Sequence, residues 1–185
     1  MLGQIAVFLV DTVVTFFVVL LLLRFHFQWL RVPFQNPAGQ FVLAMTSWFV
    51  MPVRRVIPGM RGYDLPTLLL AWALEALGLY ARFVIVGGEP RAAAIAAVSA
   101  VELLRYSVYI LMAAVIVQAV MSWFRGYSPF TPALQAMTAP FLRPFRRWIP
   151  PVGGFDLTPL VLVVLLQVIA IVLERGLLPA AAQLG

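Results

Sequence analysis

The chain has 185 residues, of which 63% are hydrophobic and 11% charged; its mean hydropathy is +1.00, and all 13 basic residues behind its net charge of +6 are arginines. A soluble domain of this size has no interior able to hide so many apolar side chains, so the composition excludes the ordinary soluble classes and points to a bilayer. Most arginines flank apolar runs, which is a juxtamembrane pattern and not a nucleic-acid-binding one, and the absence of cysteine excludes disulfides and thiolate metal sites.

In chain order, residues 5–23 form an apolar run of nearly the length needed to cross the hydrocarbon core, and they are read as the first transmembrane helix. Residues 1–10 lack a basic segment and the run outlasts a signal's apolar core, so no cleavable leader is expected. Arg24, His26, Gln28, Trp29 and Arg31 follow as an interfacial belt. Asn36-Pro37 pairs a favoured N-cap with a favoured first helical residue, starting a helix that Pro52 is expected to stop. That segment is too short to span and mixes Gln40, Thr46 and Ser47 with Phe41, Met45 and Trp48, so it should lie in the interface or re-enter partway. Residues 65–86 form the second span, and Gly87-Gly88-Glu89-Pro90 separates the halves. Residues 91–100 are Ala-rich and read as an extension outside the membrane of the third span, 103–124. Ser128-Pro129 stands where Asn36-Pro37 stood and is expected to cap a second interfacial segment. The fourth span covers 157–173, with Leu178 as its furthest reach.

A repeat organises these parts. Pro52-Val53-Arg54-Arg55-Val56-Ile57-Pro58, followed by Gly62-Tyr63-Asp64-Leu65, recurs 92 positions later as Pro144-Phe145-Arg146-Arg147-Trp148-Ile149-Pro150 with Gly154-Phe155-Asp156-Leu157. From Pro37 to Leu68 that shift gives identity at 14 of 32 positions, prolines, arginine pair, glycine and aspartate included, so the chain reads as a tandem duplication with halves 1–87 and 91–185. Each half holds two spans, an even number, so both halves insert in the same sense and any pseudo-symmetry axis runs along the membrane normal. Nine arginines flank the two motif loops and four lie on the other side, which by the positive-inside rule places the motif loops in the cytoplasm and both termini outside.

Arg54, Arg55, Arg146 and Arg147 are candidates for contact with lipid headgroups or an acidic partner, because a guanidinium holds phosphate bidentately. Pro52, Pro58, Pro144 and Pro150 should set them on a rigid elbow, with Gly62 and Gly154 in the loop that follows. The favoured reading makes the pairs topology signals and anchors, with Asp64 and Asp156 capping the next span while pairing with these arginines. Asp11, Glu75, Arg82, Glu102, Arg105, Gln167 and Glu174 are polar groups within spans and form a candidate intramembrane network, with Glu75 and Gln167 at one depth as repeat partners. They read first as helix glue and snorkelling groups, and second as the lining of an ion path. His26 stands alone between two phenylalanines, and no metal, nucleotide or nucleophile motif is present, so no catalytic residue, metal or cofactor is assigned.

The doubled Pro-x-Arg-Arg-x-Ile-Pro-x3-Gly-x-Asp motif, preceded by Asn36-Pro37 or Ser128-Pro129 and an interfacial segment, resembles the YggT family of bacterial integral membrane proteins, which has cyanobacterial and chloroplast relatives. The resemblance covers nearly the whole chain as two tandem domains. Ser128 stands for the usual asparagine, and Ala139 precedes Pro140 where an acidic residue is common. The resemblance implies roles in membrane organisation or assembly: cytochrome b6f haem attachment and nucleoid distribution in plastid relatives, cell division or osmotic-stress tolerance in bacteria. With no cysteine and one histidine, direct haem chemistry is not expected here. The expected protein is an all-α, four-span bacterial inner-membrane scaffold or assembly factor, and the alternative is an oligomeric channel or transporter subunit. Its expected partners are membrane lipids, with another membrane protein or complex and self-association as further options.

Overall fold

A computed structural model describes residues 1–57, 59, 63–89, 91–123, 128–150 and 156–184. It is all-helical: α1 (Leu2–Trp29), α2 (Pro37–Val56), α3 (Leu65–Val86), α4 (Ala92–Trp123), α5 (Thr131–Trp148) and α6 (Thr158–Val172), which runs through a π-helical turn (Leu173–Leu177) into α7 (Leu178–Ala182). Four of these stretches are long and apolar enough to cross a membrane, namely α1, α3, α4 up to Ser122, and the composite helix from Thr158 to Ala182. The chain is a multi-pass membrane protein with two further helices outside the spans. Pro58, Gly62 and Gly154 of the motif, and Pro90, Phe124, Arg61 and Arg125, lie outside the described residues.

Each half is an antiparallel pair of long helices with a shorter helix at one end. In the first half α1 lies against α3 so closely that a Cβ on Gly78 would come within 2.8 Å of Val14 Cγ1. Glycine is what lets these two backbones approach, as at many helix contacts in membranes. In the second half α4 lies against α6 and α7. The first helix of the second half, α4, also packs on both α1 and α3 and so joins the halves. One apolar cluster crosses that junction, with Val18, Leu21 and Leu22 of α1, Ala71 of α3, Leu103 and Ile110 of α4 and Met137 of α5. A smaller one, Val115, Leu142, Leu162 and Leu166, belongs to the second half alone.

Several boundaries differ from the sequence expectation, each for a local reason. Helix α1 does not stop near Leu23 but carries Arg24 and His26 to Trp29, because both are buried and bonded: Arg24 Nη1 donates to Thr46 Oγ1 at 2.8 Å, and His26 Nδ1 lies 2.6 Å from the Leu22 carbonyl. It ends where the Val32 N–H returns to the Phe27 carbonyl (2.8 Å) across Arg31, whose left-handed backbone (φ 54°) does the work more often given to glycine. Pro52 does not stop α2, and Pro140 and Pro144 do not stop α5. All three are exposed, so the carbonyls four residues earlier that lose a donor stand on the outer face of the helix. Arg54, Arg55, Arg146 and Arg147 are therefore in last helical turns, and the elbow comes one step later, at extended Ile57 and Ile149. The Ala-rich stretch 92–100 is continuous with the third span in one helix, as the sequence reading had it. The second interfacial helix begins at Thr131: Ser128 Oγ takes only the Phe130 N–H at 3.3 Å, and no side chain caps the helix. Asn36 does cap α2, its Oδ1 taking the Gly39 N–H at 2.9 Å.

Candidate functional site: the arginine clasps at one end of the bundle

The repeated motif places an aspartate at the start of a span and an arginine in the last turn of the preceding interfacial helix, ten residues apart. In the first half Arg54 grips Asp64 in a fork, Nε to Oδ1 at 3.2 Å and Nη2 to Oδ2. Asp64, 1% exposed, also caps α3: Oδ1 takes the Thr67 N–H at 3.4 Å and Oδ2 the Thr67 hydroxyl at 2.5 Å. Helix α1 adds two groups that sequence reading assigned to an interfacial belt. Gln28 Oε1 accepts from Arg54 at 2.8 Å, and Arg24 Nε lies 4.0 Å from Asp64 while its Nη1 donates to Thr46 and Ser47 of α2. One carboxylate thus locks three helices together.

The second half repeats the clasp with fewer partners. Asp156 accepts from Arg146 Nε and Nη2, both at 3.0 Å, and from the Thr158 N–H and hydroxyl at 3.0 and 2.5 Å. It sits one residue before the cap position of α6, which starts at Thr158. With Trp29 and Arg31 set on Trp123 and Arg125, the repeat equivalents of Arg24 and Gln28 are Gln118 and Ser122; their recorded bonds go to Thr138 and to the Ala119 carbonyl and not to the clasp, and the Arg146–Asp156 pair is about half exposed. Although partial burial pushes the Asp156 carboxyl up, its bonds to Thr158 and the Arg146 charge outweigh this and hold it below the usual aspartate value. Gln118 accepts from Thr138, the partner of Thr46, and so keeps the contact that Arg24 makes with Thr46.

The first arginine of each pair is consumed by the clasp; the second is not. Arg55 and Arg147 are exposed, as are Trp48 (70%), two turns before Arg55 in α2, and Trp148 (86%), which follows Arg147 in the chain. The faces turned inward are Val42, Thr46 and Val50 on α2, and Ala133, Met137, Thr138 and Leu142 on α5. Each interfacial helix therefore buries one apolar stripe against the spans and offers an arginine and a tryptophan on the other side, the chemistry of a helix lying in a headgroup layer.

The polar groups within the spans fall into two clusters, one per half. Arg82 of α3 meets Asp11 of α1 at 3.0 Å and Glu75 at 3.3 Å. Arg105 of α4 meets Glu102 at 2.6 Å and Glu174 at 3.7 Å, and Glu174 in the π-helical turn also accepts from Tyr109. Arg82 and Glu174 are repeat partners, so the two halves place opposite charges at the same position and answer them with opposite charges from the facing helix. Gln167 does not join either cluster: it is exposed on α6, whereas its partner Glu75 is fully buried. Among the described residues no group of His, Asp and Glu side chains has the arrangement of a metal site.

Comparison with known proteins gives a consistent picture. The CCB3/YggT family model matches residues 3–84 and again 97–177. A protein of Escherichia coli named uncharacterized protein YggT is 37% identical over 163 residues, covering 88% of this chain and 85% of its own. A Vibrio alginolyticus protein described by its place in the proC 3' region is 32% identical over 163 residues, 86% of this chain and 88% of its own. A Pseudomonas aeruginosa relative is 30% identical over 178 residues, 93% and 89% of the two chains. No solved structure matches.

Proposed function

The chain belongs to the CCB3/YggT family as two tandem copies of its domain, and on that premise we propose that it is a non-enzymatic inner-membrane scaffold or assembly factor. Its working surface is the end of the bundle where α2 and α5 lie. The observation that carries this reading is the division of labour within each arginine pair: Arg54 and Arg146 are bound to Asp64 and Asp156, while Arg55 and Arg147 are exposed, on helices that also expose Trp48 and Trp148. The clasps fix two amphipathic helices to the spans, and the free arginines and tryptophans are the groups left to meet headgroup phosphates or an acidic partner. The arginine count puts this end in the cytoplasm. Each of these intramembrane acids has an arginine, Asp11 and Glu174 on the facing helix and Glu75 and Glu102 on their own, an arrangement that suits a closed core better than an ion path.

The test separates the two arginines of a pair. Arg55→Lys with Arg147→Lys keeps the charge but removes the fork; it should leave thermal stability unchanged and lower binding to vesicles containing anionic phospholipid or to a cross-linked partner. Arg54→Lys with Arg146→Lys should lower stability instead. Unchanged binding in the first variant would rule out phosphate recognition by the exposed pair. In-membrane cross-linking from Trp48 and Trp148 then identifies what this end holds.

A further inference from the structure

The duplication allows each surface of one half to be compared with its equivalent in the other. The faces of α3 and α6 turned towards their own half are alike: Gly78 and Ala170 are both buried. The outermost faces are alike too, Leu77 and Ile169 both being exposed at 62% and 39%. The third face differs. On α3 it is the stripe Leu68, Trp72, Glu75 and Leu79, at helical spacing, with Glu75 and Leu79 buried and Leu68 and Trp72 partly so. This stripe meets the first helix of the following half, and Trp72 Nε1 donates to the Ala96 carbonyl of α4 at 3.1 Å. On α6 the equivalent stripe is Leu160 (66% exposed), Val164 (58%), Gln167 and Ile171 (40%), and nothing among the described residues covers it.

A bare apolar stripe in a membrane protein is ordinarily a lipid face, but Gln167 is not a lipid-facing residue. It sits in the middle of α6, where hydrocarbon offers its amide no partner, and helices carrying such groups associate through them. The helix that covers α3 is α4, and the repeat equivalent of α4 is α1. With Trp29 set on Trp123, the equivalent of Ala96 is Leu2, which is 85% exposed, and next to it in the chain α1 and the end of α3 leave an open groove of about 580 Å³ lined by Gln4, Val7, Phe8, Asp11, Ile85 and Val86.

We infer that the Leu160–Val164–Gln167–Ile171 stripe of α6 docks on α1 of a second copy in the same membrane, repeating between molecules the contact that α3 makes with α4 within one. Stripe and receiving surface are different parts of the chain, so the assembly is head-to-tail. This holds whether or not the cytoplasmic end recruits a partner, and it is tested separately.

The experiment places a photo-reactive benzoylphenylalanine at Val164 in the full chain, expressed in native membranes together with a second, differently tagged wild-type copy. Irradiation should give an adduct of two chains carrying both tags, with the captured peptide mapping to residues 1–15. The same probe at Leu165, on the face exposed in both halves, should give none. Gln167→Leu in the Val164 probe chain should lower the adduct about threefold, the size of one intramembrane hydrogen bond. An adduct mapping to α6 of the second copy would replace this arrangement with face-to-face pairing. Capture of lipid or of another protein alone, with chains inserted normally, would overturn it outright.

Discussion

At the scale of single residues, Asp64 and Asp156 show how one motif serves two settings. Both accept from the first turn of a span and both hold an arginine, but Asp64 is the cap residue, sealed beneath Arg54, Arg24 and Gln28, while Asp156 stands one residue before the cap position with Arg146 and Thr158 and is half-exposed. Asp64→Asn should cost about 3 kcal/mol, because it strands guanidinium charge at a buried site. Asp156→Asn should cost less than about 1 kcal/mol, as for an exposed pair. Thermal unfolding in detergent of both variants checks the ranking, and equal losses would contradict it. The lowered Asp156 value also sets a sign for acid. A carboxyl held below its unfolded value stabilises fully above that value, near 3.8, and the contribution disappears as pH falls through the folded value. Carboxyl chemical shifts of Asp156 should thus titrate below those of a free aspartate, and Arg146→Ala should raise the midpoint. The sequence announced both aspartates as caps and arginine partners; both hold their arginine, but only Asp64 is a cap residue, the cap position of α6 falling on Leu157. It hid Arg24 and Gln28, which looked like belt residues because nothing in a linear pattern says that α1 runs on past the apolar stretch.

At the scale of elements, the interfacial helices carry the clearest contrast between what a motif promises and what the backbone does. Asn36-Pro37 and Ser128-Pro129 occupy equivalent places, yet only the first caps a helix. The reason is steric as well as polar. Gly39 lets the backbone of Phe34 come so near that a Cβ would stand 2.7 Å from it, and the equivalent of Gly39 is Thr131. The tight approach cannot be copied there, and α5 starts two residues later than a Ser128 cap would have it. Asn36→Ala should therefore cost about 1 kcal/mol, and Ser128→Ala much less; chemical or thermal unfolding of the two variants measures the difference. The prolines teach a related lesson. Reading Pro52 as a stop followed from its missing donor, but a helix with one open face tolerates proline there, and the sequence does not say which face is open.

At the scale of the whole molecule, the chain is two copies of one design joined through α4, and the halves are unequal in cover. The first half is packed by the second along α3, and the second has its equivalent face bare on α6. The topology proposed from arginine placement makes a prediction: a reporter active only outside the cytoplasm, fused after Leu184, should be active, and one fused within the motif loops should be silent. The reverse pattern would invert every assignment of sides. The sequence by itself determined the membrane class, the four spans, the tandem repeat and the two aspartate clasps, because hydropathy, length and repeat spacing are properties of a line of residues. Only the tertiary structure decided which arginine of each pair is bound and which is exposed, that Glu75 is buried while Gln167 is bare, and that the intramembrane charges close into two clusters. Those outcomes depend on which helix lies against which face, and equivalent positions in a repeat share a sequence pattern without sharing neighbours.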